Sequence, residues 1–202
     1  MIKTIIFDLG GVLINWDPRN MYRKIFSDEE EMEYFLANVC TMAWNEEQDG
    51  GRTWEEAINL LTPQFPKYKS EIAAYRERWV EMLDGSIQGT VDILKQLKAS
   101  KQYRIYALTN WSGETFPTAL ELFDFLQLFE GILVSGDENL KKPDPKIYQL
   151  ILDRYNIEAG EAVFIDDSAR NVKAAKEMGI ASIQFESPEA LKTALKEYGI
   201  SI

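Results

Sequence analysis

The sequence predicts an α/β fold: a five-stranded parallel sheet with helices on both faces and a four-helix insert after the first strand. Short apolar runs alternate with helical segments from about residue 89 onward, and a similar run, Ile5-Ile6-Phe7, lies near the start of the chain. Runs of this kind between helices are typical of buried parallel strands. Residues 19–84 are nearly all helical in pattern. Because strand–helix alternation is interrupted there, this stretch indicates an inserted module.

Local signals place the first elements of the chain. Residues 3–7 read as the first strand, and Gly10-Gly11 permits a tight turn after it. Within the helical stretch, Ser27-Asp28-Glu29-Glu30 begins one helix with an N-cap and early acidic residues. Thr53-Trp54-Glu55-Glu56 resembles a capping box at the start of another. A long helix is expected over 68–83.

Alternation resumes in the second half of the chain, where each helix precedes a strand. The predicted order is helix 90–99, strand 104–108, helix 114–122, strand 131–134, helix 145–155, strand 162–165, helix 168–178, strand 181–185 and helix 188–198. The predicted division is therefore an α/β core formed by residues 1–16 and 86–202, with a helical insert over 17–85.

Composition excludes several classes of function. The net charge of −11 argues against nucleic acid as a partner, because phosphate backbones require a basic surface. Histidine is absent, which removes Ser-His-Asp catalysis and histidine-based zinc sites. The single cysteine, Cys40, cannot form an internal disulfide and is expected in the core, in a probable helix. No apolar run is long enough to span a membrane, and the chain opens directly on a strand, so a cytoplasmic location is expected.

Polar residues stand at the ends of three predicted strands. They are Asp8, the pair Thr109-Asn110 and the pair Asp166-Asp167, and Lys141-Lys142 precedes the last of these strands. The carboxyl ends of parallel strands border one crevice, where ligands bind. Clustered carboxylates repel each other unless a cation neutralises them. The set therefore predicts a bound metal ion and a phosphate-like substrate.

Four segments in this order resemble the motifs of the haloacid dehalogenase superfamily. They are Asp8-Leu9-Gly10-Gly11-Val12-Leu13, Leu108-Thr109-Asn110, Lys142-Pro143-Asp144-Pro145 and Phe164-Ile165-Asp166-Asp167-Ser168. Each motif alone is weak, but four in order across almost the whole chain are specific. The pattern is similar to the subfamily with a Rossmann-like core and a helical cap after the first motif. Most members of that subfamily are phosphatases.

The resemblance implies Mg²⁺-dependent hydrolysis of a small phosphorylated metabolite. Asp8 would be the nucleophile and form an aspartyl-phosphate. Mg²⁺ would be bound by Asp8, Asp166 and the backbone carbonyl of Gly10. Asp167 would bind the metal directly or hold a water ligand of it, and it could also N-cap the next helix.

Further residues of the motifs would bind the phosphate or balance its charge. Thr109, Asn110 and the backbone N–H groups after Asp8, including that of Gly11, would donate hydrogen bonds to phosphate oxygens. Lys142 would offset the negative charge, with Lys141 as the competing candidate. Asn171 would orient Lys142 or would simply be an exposed polar residue of its helix.

Gly10 departs from the pattern, because phosphatases of the family usually carry there an aspartate that protonates the leaving group. Three interpretations remain open. The first is a phosphatase with a good leaving group, such as a sugar 1-phosphate, or with an acid from elsewhere; the candidates are Asp17, Glu46, Glu47 and Asp49. The second is a metal-independent 2-haloacid dehalogenase, although that branch of the family replaces the acidic pair. The third is a non-catalytic binding protein.

Aromatic residues suggest how the substrate is recognised. Trp16, Trp44 and Trp111 are expected to contact it, whereas Trp54 and Trp79 are expected to pack in the core. Tryptophan faces suit sugar rings, which favours a small phosphorylated sugar. The sequence leaves the oligomeric state and the substrate itself open.

Overall fold

The computed structural model describes residues 1–201, and its centre is the five-stranded parallel sheet that the sequence predicts. The spatial order is β5-β4-β1-β6-β7. Its strands are β1 (Thr4–Phe7), β4 (Arg104–Thr109), β5 (Gly131–Val134), β6 (Ala162–Asp166) and β7 (Ala181–Gln184). Two more strands, β2 (Ile14–Trp16) and β3 (Leu83–Ser86), form a separate antiparallel pair.

The middle strand β1 is completely buried and pairs on one side with β4 and on the other with β6. Alternate side chains of β1 point to opposite faces of the sheet, as the strand period requires. Ile5 and Phe7 join one hydrophobic cluster, and Ile6 joins another on the opposite face. Each cluster is closed by helices, so the sheet is covered on both sides.

The α-helices fall into two groups. Between β2 and β3 lie α1 (Arg19–Tyr22), α2 (Glu29–Asn38), α3 (Met42–Asp49), α4 (Trp54–Leu61) and α5 (Lys69–Glu77). After β3 lie α6 (Gln88–Ser100), α7 (Phe116–Leu122), α8 (Ser135–Glu138), α9 (Pro145–Tyr155), α10 (Ala169–Glu177) and α11 (Pro188–Glu197). The predicted N-caps occur at Asp28 and Thr53, whose side chains accept hydrogen bonds from backbone N–H groups of the first turn.

We call the stretch from α1 to residue 82 the helical segment. The β2–β3 pair lies at its base. The expected long helix over 68–83 is wrong in its second half. The α-helix ends at Glu77, a 3-10 helix follows over Trp79–Met82, and the chain becomes extended in β3. Pairing with β2 requires an extended backbone at Leu83–Ser86, and the burial of Trp79 and Met82 favours the tighter turn before it. Tertiary contacts here override the helical pattern.

The position of Cys40 differs in part from the expectation. Cys40 is buried as expected, but it lies just after α2 and not within a helix. In residues 1–201, no helix is both long enough and apolar enough to cross a membrane.

Candidate active site

The chemistry-bearing residues meet at the carboxyl edge of the three central strands. Asp8 follows β1 directly, Thr109 ends β4 and Asp166 ends β6. Because β4, β1 and β6 are adjacent in the sheet, their last residues are neighbours. The main chain of Asp8 continues the sheet, since its N–H donates to the carbonyl of Ile165 at 2.8 Å. The main chain of Asp8 is therefore fixed by the central strands of the sheet.

Lys142 is the buried cation at the centre of this edge. Its Nζ lies 2.8 Å from Oδ1 of Asp8 and 2.7 Å from Oδ2 of Asp166. The third ammonium hydrogen is donated to the carbonyl of Leu108 at 3.0 Å. Burial alone would disfavour the charge, but the two carboxylates outweigh it and raise the pKa of Lys142. The cluster thus holds a fixed positive charge.

Lys141 and Lys142 point to different partners, which separates the two candidates. Nζ of Lys141 donates to the Glu46 carbonyl at 2.9 Å and to the Glu47 carboxylate at 2.8 Å, both in α3. Lys141 therefore ties the core to the helical segment, and Lys142 alone enters the carboxylate cluster.

Asp166 is fully buried and accepts hydrogen bonds on both carboxylate oxygens. Its Oδ1 accepts from the Ser168 N–H at 2.8 Å, and Asn171 Nδ2 lies 3.1 Å from each carboxylate oxygen. Asn171 is buried, so the exposed alternative is wrong, and its amide donates to Asp166 and not to Lys142 itself. It positions Asp166, one helical turn into α10. Through its bond from the Ser168 N–H, the Asp166 carboxylate accepts a backbone hydrogen bond just before the first residue of α10.

Three carboxylates are close enough to share one cation. One oxygen from each of Asp8, Asp166 and Asp167 lies within 4.8 Å of the others. With all three ionised and Lys142 protonated, the cluster carries two net negative charges. Burial first, and then Asp166, raise the pKa of Asp8 to about 8, despite the opposing effect of Lys142. The pKa of Asp167 is also raised, mainly by burial and then by Asp166. An all-oxygen donor set with this excess charge fits Mg²⁺.

Thr109 and Asn110 play different parts. Thr109 is fully buried, and its Oγ1 has no hydrogen-bond partner in the described chain, so it is free for a ligand oxygen. Asn110 uses its carboxamide on the main chain of Lys142: Nδ2 donates to the carbonyl at 3.0 Å and Oδ1 accepts from the N–H at 2.8 Å. Asn110 therefore positions Lys142, a contact that sequence reasoning did not predict.

The glycine loop after β1 is close to Asp167. The N–H of Leu9 donates to Asp8 Oδ1 at 2.8 Å, and that of Gly11 donates to the Ile14 carbonyl at 3.0 Å. These two amides are used within the loop, so the expected donation from Gly11 to phosphate is wrong. Gly11 has φ +73°, and a Cβ there would stand 2.4 Å from Asp167 Oδ2. Glycine is required at this position because it leaves room for the Asp167 carboxylate.

A cavity of about 250 Å³ opens above the glycine loop. The core contributes Gly10, Gly11, Asn110, Trp111, Ser112, Thr115 and Asp167, and the β2 strand and helical segment contribute Trp16, Met42, Asn45, Asp49, Trp54 and Trp79. Among the hydrogen bonds that link the core to the helical segment, two lie beside the cavity: Trp54 Nε1 donates to Ser112 Oγ at 3.1 Å, and Ser135 Oγ donates to the Asp49 carbonyl at 2.5 Å.

The tryptophans are distributed differently from the expectation. Trp16 and Trp111 line the cavity as expected. Trp44 is not among the lining residues; it packs edge-on against Trp54 and Tyr75, with ring centroids 5.7 and 5.1 Å away. Trp54 and Trp79 are buried as expected, yet they also line the cavity. Their helical spacing indicated burial but could not show that one side of each ring borders a void.

Comparison with known proteins finds related phosphatases and a cyclase. A D-ribitol-5-phosphate phosphatase of Bacteroides thetaiotaomicron is 27% identical, with 93% of each chain covered. A sesquiterpene phosphatase of Aspergillus oryzae is 27% identical over 96% of this chain and 95% of its own. The chain spans only 36% of a drimenol cyclase of Aspergillus calidoustus, at 28% identity.

A solved structure and a family profile complete the comparison. A haloacid dehalogenase family enzyme from Bacteroides thetaiotaomicron, in complex with magnesium and inorganic phosphate, superimposes with a TM-score of 0.68 at 25% identity. The superposition covers 93% of this chain and 96% of that enzyme. The profile of the haloacid dehalogenase-like hydrolases matches residues 2–179. The chain belongs to the haloacid dehalogenase-like hydrolase family.

Proposed function

We propose that this chain is a Mg²⁺-dependent phosphatase that hydrolyses a small phosphate monoester through an aspartyl-phosphate on Asp8. The observation that carries the proposal is the Asp8–Lys142–Asp166 cluster, buried at one sheet edge with Asp167 beside it. The related phosphatases and the magnesium and phosphate complex of a similar enzyme support it.

The side chains of the site have different roles in the proposed reaction. Both contacts of Asp8 use Oδ1, which leaves the lone pairs of Oδ2 for attack on phosphorus. Lys142 offsets the charge of Asp8 and of the entering phosphate, and the unpartnered hydroxyl of Thr109 donates to a phosphate oxygen. Mg²⁺, held by Asp8, Asp166, Asp167 and the Gly10 carbonyl, would supply charge stabilisation to the phosphate oxygens.

The lining of the cavity favours a substrate whose only charged group is its phosphate. Four tryptophans and Met42 form the large apolar side chains of the wall. Within residues 1–201, no lysine or arginine lines the cavity, so a second anionic group would find no counter-charge. Indole faces suit a sugar ring or an apolar alcohol. The two relatives are named for an open-chain sugar-alcohol phosphate and for a sesquiterpene, and we favour a small phosphorylated sugar as the substrate of this chain.

The helical segment serves as a cap in this proposal, with residues 17–85 as the cap and 1–16 and 86–202 as the core. Met42, Asn45, Asp49, Trp54 and Trp79 reach the cavity from the cap side. Closing a site in this way excludes water from the reaction and selects the leaving group.

The test is release of inorganic phosphate from a panel of esters, with Mg²⁺ and with EDTA. The panel contains a sugar 1-phosphate, a sugar 6-phosphate, a nucleotide and an aryl phosphate. We expect Mg²⁺-dependent release, with the neutral-ring esters preferred over the nucleotide. Faster release from the 1-phosphate than from the 6-phosphate would show that leaving-group quality offsets Gly10. No release from any ester would reject the proposal, and halide release from 2-haloacids would replace it with the dehalogenase alternative.

Mg²⁺ binding should be coupled to proton release from Asp8. With a pKa of about 8, the Asp8 carboxyl is protonated near neutrality, and a cation must displace that proton. We therefore expect the Mg²⁺ affinity to rise by about tenfold per pH unit as the pH approaches 8, and to level off above it. Calorimetric titration in two buffers with different ionisation heats measures the released proton. The Asp8→Asn variant should release none from this position, and a pH-independent affinity in the unmodified protein would contradict the coupling.

A further inference from the structure

The site lacks a side chain at Gly10, where related phosphatases carry the group that protonates the leaving oxygen. We propose that Asp49, at the end of α3, is that proton donor and then the base that activates water. This inference deepens the proposed phosphatase function and rests on it. Asp49 lines the same cavity as Gly10, Asn110 and Asp167, and it enters from the opposite, helical side.

The structure separates Asp49 from the other three candidate acids. Glu46 pairs with Arg170, Glu47 with Lys141 and Asp17 with Arg19. None of these three lines the cavity. Within residues 1–201, no ion pair includes Asp49, so its carboxyl is not committed to a cation.

The end of α3 is fixed against the core, which places this carboxyl reproducibly. Ser135 Oγ donates to the Asp49 carbonyl at 2.5 Å, and Lys141 Nζ donates to the Glu46 carbonyl at 2.9 Å. Asn45 Nδ2 contacts Asp49 Oδ2 at 3.4 Å from the preceding turn. A general acid needs this kind of positioning, because proton transfer depends on geometry before it depends on acidity.

The surroundings also suit proton transfer near neutral pH. Burial, and then the charge of Glu46 on the same helix, raise the pKa of Asp49 to about 7. Lys141 and Lys142, from the loop before α9, act in the opposite direction. Asp167 borders the same cavity. The carboxyl is thus protonated in a large fraction of molecules below about pH 7 and can donate.

The proton balance closes over one turnover. As an Asp8 oxygen bonds to phosphorus, the ester P–O bond breaks and the leaving oxygen takes the proton of Asp49. The resulting Asp49 carboxylate then removes a proton from water as that water attacks phosphorus. Asp8 is released as the carboxylate, inorganic phosphate leaves and Asp49 is protonated again. No other reactant is needed.

The experiment compares two esters that differ in their need for a proton. Asp49→Asn should lower kcat/KM for an alkyl phosphate by about 10²–10⁴-fold, the usual contribution of a general acid. For an aryl phosphate, whose leaving group departs as a stable anion, kcat/KM should change by only a few fold, because it reports the steps up to leaving-group departure. The decrease in alkyl kcat/KM above about pH 7 should also disappear in the variant.

Two further variants make the result specific. Asp17→Asn, which changes a carboxylate at the base of the helical segment outside the cavity, should leave both esters unaffected. Gly10→Asp in the Asp49→Asn background should restore alkyl turnover, since a Cβ at Gly10 has no heavy atom within 4 Å.

The outcomes distinguish failure of the proposed Asp49 role from failure of the proposed phosphatase function. Equal loss on both esters, or no loss on either, would overturn the role of Asp49 while leaving the phosphatase intact. An unmodified protein that hydrolyses neither ester would reject the phosphatase, and the role of Asp49 with it.

Discussion

Replacing Asp8 with asparagine is expected to abolish turnover while leaving the fold intact. The amide keeps the shape of the side chain but cannot form the covalent bond to phosphorus. Loss of a nucleophile typically lowers the rate by a factor on the order of 10⁴ or more. The fold should persist because Lys142 keeps its contacts with Asp166 and with the Leu108 carbonyl. Phosphate release from the best ester of the panel, together with thermal unfolding, measures both effects.

A control variant and direct detection of the phosphorylated protein test this prediction further. Asp84→Asn changes an exposed aspartate of β3 and should leave turnover unaltered. Rapid mixing of the unmodified protein with substrate, followed by acid quench and intact-mass analysis, should detect a phosphorylated chain that Asp8→Asn does not form. Full activity in Asp8→Asn would remove Asp8 as the nucleophile and require another group, or water, to attack.

The places of Asp8, Asp166 and Lys142 in the site could be predicted from the sequence. They depend mainly on the order of the strands in the sheet and little on how individual side chains pack. A polar residue at the end of a buried apolar run must lie at the sheet edge. Three such runs that become adjacent strands bring Asp8, Thr109 and Asp166 together. The Lys-Pro adjacency favoured Lys142 over Lys141, and the structure places only Lys142 in the cluster.

The parts that sequence reasoning missed depend on pairing between distant segments or on the direction in which a side chain points. The β2–β3 pair joins residues about seventy positions apart, and neither strand has enough alternation to be distinguished from a loop or a helix end. The contact between Asn171 and Asp166 spans only five positions, but the predicted strand 162–165 and helix 168–178 do not show that the Asn171 side chain points toward Asp166. Trp44 packs away from the cavity, and Trp54 is buried as expected but also borders it, since periodicity shows burial but not which buried ring borders a cavity.

Replacing Lys142 with methionine should produce the largest loss of stability in this site. The side chain is almost completely buried between Asp8 and Asp166, and methionine fills similar space without the charge. Removing one partner of a buried ionic cluster typically costs about 3–5 kcal/mol, because the remaining charge stays buried and uncompensated. Denaturant unfolding of both proteins measures the difference, provided that their m-values agree.

The pH dependence identifies the cause of that loss. With the ammonium gone, the free energy of unfolding should fall further as the pH rises, because the buried Asp8 carboxyl, whose pKa is already raised, must then ionise beside Asp166 without a counter-charge. At lower pH the Asp8 carboxyl keeps its proton and this cost shrinks.

Lys141→Met is the matched control for Lys142→Met, since Lys141 is adjacent in sequence but forms a partly exposed pair with Glu47. Its cost should be about 1 kcal/mol or less, with little dependence on pH. Mg²⁺ should restore part of the stability of Lys142→Met, since a divalent cation replaces the missing positive charge between the same carboxylates. Equal losses for the two variants, or a Lys142→Met loss that neither pH nor Mg²⁺ alters, would mean that Lys142 acts by packing alone. In that case the carboxylate edge would not be the charge-balanced phosphate site on which the proposed chemistry depends.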